Sequence, residues 1–409
     1  MTGRIAWSGI VLALVLAGCA TPKQASDVDD LLFVSTRDGV AAVDGESGRT
    51  VVNAGYAAHN SDWSRLFLAE DEAGATDVVL RDLATNARRT IARIAGTFTP
   101  RIVSRSGELL ALAEPHTLGT PAWNPVSRRR TGLAVTGVPG QVRRFDLPGN
   151  FEPEAFTADD RTLVLVEYVP AIRPERYRLR ELDLASGSVS PLGVRLKLLA
   201  PPEMAGTGRT QVPAPDASAL YTLYTRQGPN LSHVAPGTVV TPAPVHSFVH
   251  VLNLVQGFAH CVDLPDGFGA GPAAIAVAPE GDRLFAIDAG RVLVVDTRSL
   301  RVSRSARIRL RPTFAISAVA KGGTDGELFV GAGADVVVLD QTTLRVSRRY
   351  VIGRDVTGLA LSSDSRLLYV ALEDGIAVID AETGAESRRL HVPGLTGISA
   401  AHPAARSSR

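Results

Sequence analysis

Scarcity is the first property of this chain. Its 409 residues include two cysteines, two methionines and three tryptophans, and aromatic residues make up only 5%. Lysine is almost missing: Lys23, Lys197 and Lys321 stand among 43 basic residues, so arginine carries nearly all the positive charge. With a formal net charge of +1, that bias reads as the coding preference of a GC-rich genome and not as a nucleic-acid footprint. No nucleophile elbow, phosphate-binding loop, paired zinc motif or heme site occurs, so no cofactor is expected. The commonest contiguous signatures of catalysis are therefore missing, and the residues favour a binding module over an enzyme.

The N-terminus carries an address. Arg4 precedes the apolar run IAWSGIVLALVLAG, which is too short for a typical membrane span. It ends in Leu16-Ala17-Gly18-Cys19, which resembles the lipobox of bacterial lipoproteins. That resemblance implies cleavage after residue 18, a diacylglyceryl group on Cys19, and a location on the extracytoplasmic side of a membrane. Cleavage also removes Arg4, the one charge in residues 1–18, and takes the formal balance from +1 to 0. Cys261 is then the remaining thiol, so no intrachain disulfide forms. It lies in GFAHCVDL, where a buried, inert thiol is expected. Residues 19–30 read as a polar tether that reaches at most ~35–40 Å when extended.

From residue 31 to 402 one short pattern recurs about eight times, clearest as LLFVSTRDGVAAVDGESGRTV near the start and LLYVALEDGIAVIDAETGAES near the end. A period of roughly 45 residues made of strands and tight turns points to a β-propeller. In the last copy DVTGLALSS, RLLYVALE, GIAVIDAE and AESRRLHV supply strands a to d. The a strands (GLALS, AIAVA, AISAVA, GISAA) are small and apolar, as suits the narrow centre of a ring.

Two turns are punctuated in register. Asp-x-x-Ser/Thr follows strand c at Asp44, Asp82, Asp183, Asp296, Asp340 and Asp380, where a carboxylate can accept backbone N–H groups across the turn. A polar turn before a leucine separates a from b, as in SDWSRLF and SSDSRLL. The polar turn, then LYVA, then VID-x-x-T-G is similar to YVTN-type propeller repeats, relatives of the lactonase-like propellers. The resemblance covers residues 31–402 and implies the fold. It leaves function open, because such repeats serve enzymes and binding modules alike.

The predicted fold class is all-β: a single propeller of four-stranded antiparallel blades, eight by count. Seven is the alternative if the irregular stretch 97–148 builds no blade. The first copy lacks a strand a, and the chain ends in LTGISAAH, a strand a without its b; joining them closes the ring. Residues 403–409 are expected to be a disordered tail.

Long segments fall on one face. Residues 115–140, 169–176 and 227–246 interrupt b–c in blades 3, 4 and 5, and 195–210 form the d–a link between blades 4 and 5. Loops this long are uncommon in compact domains unless they bind something or are disordered; several on one face in adjacent blades favour binding, with tolerated drift around the rim as the alternative. The candidate binding face holds Trp123, Arg128, Arg129, Arg130, His233 and His246. The arginines suit anionic headgroups, acidic wall polymers or plain solvent, and Trp123 is either an aromatic anchor or a plug. His246 and His250 stand four apart on a strand, ~13 Å, too far to share one metal. His59 and His402 both follow a strands, so they can approach across the first two blades as a metal pair or general base. Glu70, Asp71, Glu72 and Asp77 form an acidic hairpin, a candidate for Ca²⁺ or a solvated turn.

The expected function is a membrane-anchored binding module for a protein, an envelope component or a small molecule, not nucleic acid. The alternative is a lactonase-like hydrolase in the central channel.

Overall fold

The computed structural model describes residues 30–115, 126–137, 140–192, 203–205, 208–225, 247–323 and 326–403. Cys19, Trp123, His233 and His246 lie outside them. The described residues form eight antiparallel sheets, seven of four strands and one of five. Successive blades begin with inner strands Ala57–His59, Thr99–Val103, Asn150–Phe156, Gly208–Pro213, Ala273–Val277, Ile316–Ala320 and Gly358–Leu361. Each starts within a few residues of its sequence-predicted copy, and 97–148 does build a blade.

The middle strands explain themselves. Leu367–Leu372 and Gly375–Asp380 of blade 8 are buried along nearly their whole length, because neighbouring blades cover both faces. A strand covered twice has no polar side, which is why these runs do not alternate. Core clusters lie between blades, such as Phe285, Val294, Leu328 and Val337 between blades 6 and 7. Burying each large apolar side chain contributes ~1.5–3 kcal/mol. The outermost strands, such as Arg301–Arg307 (RVSRSAR), face solvent, and their arginines guard an otherwise sticky sheet edge.

Blade 1 closes the ring. The C-terminal strand Leu395–Pro403 pairs antiparallel with Asp30–Thr36, Leu31 opposite His402 and Thr36 opposite Leu395. Asp30, assigned to the tether from sequence, is the first residue of its strand and is 2% exposed. Its carbonyl accepts from the Gly45 N–H at 2.8 Å. Its carboxylate accepts from the Ser363 hydroxyl at 2.8 Å and the buried Tyr369 hydroxyl at 2.9 Å. Asp30 is thus fastened to blade 8.

The turns follow their punctuation. At all six Asp-x-x-Ser/Thr sites the Asp Oδ1 accepts both the backbone N–H and the hydroxyl of the fourth residue. The backbone N–H and then the hydroxyl hold Asp82 and Asp296 below the usual carboxylate range. In blade 5 Asn253 does the same job, accepting from the Val255 and Gln256 N–H groups. These turns and the a–b turns share one face. The b–c and d–a connections form the other, the insertion face.

Two insertions are shorter than the sequence suggests. Residues 130–137 of the supposed 115–140 loop are strand c of blade 3, RTGLAVTG, whose glycines and threonines obscure a mostly buried strand. Residues Met204–Ala205, inside the supposed 195–210 link, return to pair with Arg176 and Tyr177 and give blade 4 its fifth strand.

Candidate functional site

Charge on the inner strands is concentrated in blades 3 to 5. The inner strands of blades 6, 7 and 8 read AAIAV, ISAVA and GLAL, without a charged residue. Blade 4 instead presents NFEPEAF, buried at all seven positions. Residues two apart on a strand normally share a face. Here the register shifts between Pro153 and Ala155, and Glu152 and Glu154 turn to opposite neighbours. Proline lacks the ladder donor, so a bulge at this position costs little.

Glu152 faces blade 3. It pairs with Arg101 of that blade's inner strand and with Arg128 Nη2 at 3.3 Å. The three side chains are only 11–13% exposed. Arg128 also donates from Nη2 to the Phe151 carbonyl at 3.0 Å and from Nε to Asn150 Oδ1 at 3.1 Å. Its Nη1 is buried with no partner. Burial lowers the Arg128 pKa, against the pull of Glu152, and the Arg101 charge adds to the lowering. Glu154 faces blade 5 and accepts from Gln211 Nε2 at 2.7 Å; the same amide reaches Thr222 Oγ1 at 3.1 Å. The result is a line of charged and polar groups across three inner strands.

This line also anchors an insertion. Asn150 Nδ2 donates to the Val126 carbonyl at 2.7 Å, the Arg128 N–H to the Ala171 carbonyl at 3.1 Å, and the Arg173 N–H to Ser127 Oγ at 2.7 Å. The end of the blade 3 insertion is therefore laid onto blade 4. The expected basic cluster is divided: Arg128 is drawn inward, Arg129 is exposed, and Arg130 points outward to Asp146.

His59 and His402 do come together, but around an indole. Trp63 stacks on His59 with centroids 3.3 Å apart and planes 12° apart, and on His402 at 5.6 Å and 29°. Phe33 adds a fourth ring 4.4 Å from Trp63. Trp63 has φ 58°, a rare conformation for so bulky a residue, in a slot where blade 3 has Gly107 and blade 6 has Gly281. His59 Nδ1 lies 2.9 Å from the Asn60 carbonyl, which accepts, so the proton resides on Nδ1. Burial lowers both histidine pKa values. This sandwich lies on the turn face, beside a cavity of about 200 Å³ between blades 1 and 2.

The remaining candidates are structural. In the acidic hairpin Glu70 pairs with Arg88, and Glu72 and Asp77 both pair with Arg93. Among the described residues no three His, Cys, Asp or Glu side chains are grouped to hold a metal. His250 is buried against Tyr224. Cys261 is 3% exposed among Tyr168, Tyr177, Met204, Tyr224 and Phe248, and burial pushes its thiol up to about 12.

Sequence reasoning missed Arg101, Glu152, Glu154, Gln211, Trp63 and Asp30. One signal was available: two glutamates flanking a proline, in a position where blades 6, 7 and 8 have uncharged, mostly small apolar residues.

No family model matches the chain, and no curated protein matches it. Solved structures do. AztD of Citrobacter koseri aligns at TM-score 0.54 and 12% identity, covering 91% of this chain and 98% of that one. The dihydro-heme d1 dehydrogenase NirN in complex with DHE aligns at 0.53 and 15%, covering 94% and 77%. Sqt1 of Saccharomyces cerevisiae aligns at 0.50 and 12%, covering 83% and 86%. At such identities the likeness establishes the propeller fold alone.

Proposed function

We propose that this eight-bladed propeller is an extracytoplasmic lipoprotein, anchored through Cys19, that binds a partner or ligand through the insertion face of blades 3 to 5. The observation that carries the reading is that two features coincide in one sector. The blades with long b–c and d–a connections are also the blades whose inner strands carry Arg101, Glu152, Glu154 and Gln211. A scaffold needs neither. Buried charge costs stability relative to apolar packing, so its concentration under the insertions marks a surface that does something else. The chemistry suits a polar ligand or peptide that exchanges hydrogen bonds with both signs of charge.

The channel-hydrolase reading would draw on Glu152 and Glu154, yet both already hold arginine or amide partners. Detergent extracts of cells carrying the full chain or a variant lacking 227–246, compared by co-purification, test the binding reading. A partner lost with the deletion supports it; an unchanged set of partners opposes it. Turnover in a lactone and ester panel, lost on Glu152→Gln, would favour the hydrolase instead.

A further inference from the structure

We propose that the cavity between blades 1 and 2 is a binding site for a neutral, single-ring aromatic molecule. The site depends neither on the lipid anchor nor on the sector of blades 3 to 5.

The cavity exists because blade 1 lacks half of a contact that other blades repeat. In blades 2, 6 and 8 an aromatic residue of strand b stands opposite a leucine or valine of strand c: Phe67 opposite Leu80, Phe285 opposite Val294, and Tyr369 opposite Val378. Blades 5 and 7 do the same. Each pair lies in the core between its own blade and the next. Blade 1 keeps the aromatic, Phe33, but sets Ala42 opposite it. Across the gap, the inner strand of blade 2 offers Ala57 and Ala58. The branched side chain that fills this space elsewhere is missing, and about 200 Å³ is left open.

The lining decides what fits. Close-packed interiors leave few voids larger than a water molecule. An apolar cavity of ~150 Å³ already admits benzene, and it stays dry because a water needs about two to four polar partners. Here, among the described lining residues, only His59, Trp63 and Ser399 carry polar side-chain atoms, and His59 Nδ1 is engaged by the Asn60 carbonyl. Among the same residues no carboxylate or guanidinium is present, so a charged occupant would be left unpaired. Ser399 is exposed and Val40 and Ala54 are half-buried, so the space is open to entry.

The walls favour an aromatic ring. Phe33 and Trp63 stand 4.4 Å apart at the edge of the cavity, and aromatic side chains gain from offset or edge-on contact with a further ring. Trp63 is held there against its backbone preference. The same slot holds Gly107, Ala217, Gly281 and Ser365 in blades 3, 5, 6 and 8, each with the same turn hydrogen bond. Trp63 keeps the left-handed φ of 58° despite its bulk, while His59 and His402 cover its faces. A bulky residue fixed in a conformation that suits glycine is a device of binding sites.

Fluorine NMR of fluorobenzene with the full chain tests the proposal. Saturable line broadening is expected, reversed by toluene and several-fold less effectively by cyclohexane. Ala42→Leu supplies the side chain that blade 2 has at Leu80; it should abolish the broadening and leave the melting temperature unchanged or higher. If leucine prevents folding, Ala42→Val, the residue of blades 5 to 8, takes its place. Trp63→Gly relieves the turn and removes one wall, and should weaken fluorobenzene by roughly tenfold or more. Broadening that does not saturate, or that survives both the Ala42 and the Trp63 substitutions, overturns the site. Displacement by cyclohexane as effective as that by toluene overturns the aromatic assignment.

Discussion

Glu152→Gln is the substitution that best isolates the charged wall. It preserves shape and removes the one carboxylate that Arg101 and Arg128 share, leaving two guanidinium groups buried at 11–13% exposure. Removing one partner of a buried ion pair typically costs ~3–5 kcal/mol, because the remaining charge is uncompensated. The denaturant slope grows with size and in a ring this large exceeds the ~1–3 kcal/mol per molar urea of small domains, so the unfolding midpoint should fall by roughly 0.5–1 M. Asp146→Asn is the control: it breaks the exposed Arg130 pair, at 60% and 68% side-chain exposure, and should leave the midpoint in place. Replacing Arg101, Glu152 and Arg128 together by apolar residues should recover most of the loss, since apolar triads often equal buried ionic ones. Urea unfolding followed by circular dichroism reads all three. A Glu152→Gln midpoint and slope equal to those of the parent chain would refute the view that this triad is a desolvated, interdependent unit.

Three further outcomes follow from the same structure. Deleting residues 395–403 removes the inner strand of blade 1, with the buried Leu395, and leaves the strand Asp30–Thr36, with Leu32 and Val34, as an unpaired edge, so the chain should lose at least ~3 kcal/mol or fail to fold; a truncated chain that melts like the parent would count against closure. Burial depresses the pKa values of His59 and His402 below 6.5, so the unfolded chain binds those protons more readily; stability should be whole above about pH 6.5–7 and decline as pH falls below it. His59→Phe should flatten that decline without abolishing it, because burial also depresses His260; thermal melts from pH 8 to 5 that are flat in the parent chain would contradict this. Cys261 should resist thiol reagents at pH 8 and react only as the ring unfolds, as burial and its raised pKa require; rapid labelling of the native chain would disprove its placement.

Much of the architecture was legible because a propeller writes its constraints locally. Strands packed on both faces become apolar runs, and tight turns need Asp, Gly or Ser at fixed slots, so eight copies and their closure show through. The site was less legible because its contacts join distant parts of the chain. Asp30 meets Ser363 and Tyr369, more than 330 residues away, and in sequence it looks like one more polar tether residue. Trp63 sits in a turn motif, and nothing local reveals that His402 will cover it. Arg128 reads as one of three arginines in a solvated run until Glu152 is seen opposite it. The strand Arg130–Gly137 was hidden for a different reason: its glycines and threonines carry loop statistics, while its burial comes from neighbouring blades.

The central claim is that binding belongs to the sector of blades 3 to 5 and not to the insertion face at large. Site-specific photocrosslinking in living cells tests it directly, with the crosslinker at Ile172 in blade 4 and at Glu373, exposed in the short b–c turn of blade 8 on the same face. A discrete adduct at 172 that is missing at 373 is the predicted result. Equal adducts at both positions, an adduct at 373 alone, or none at either would contradict it.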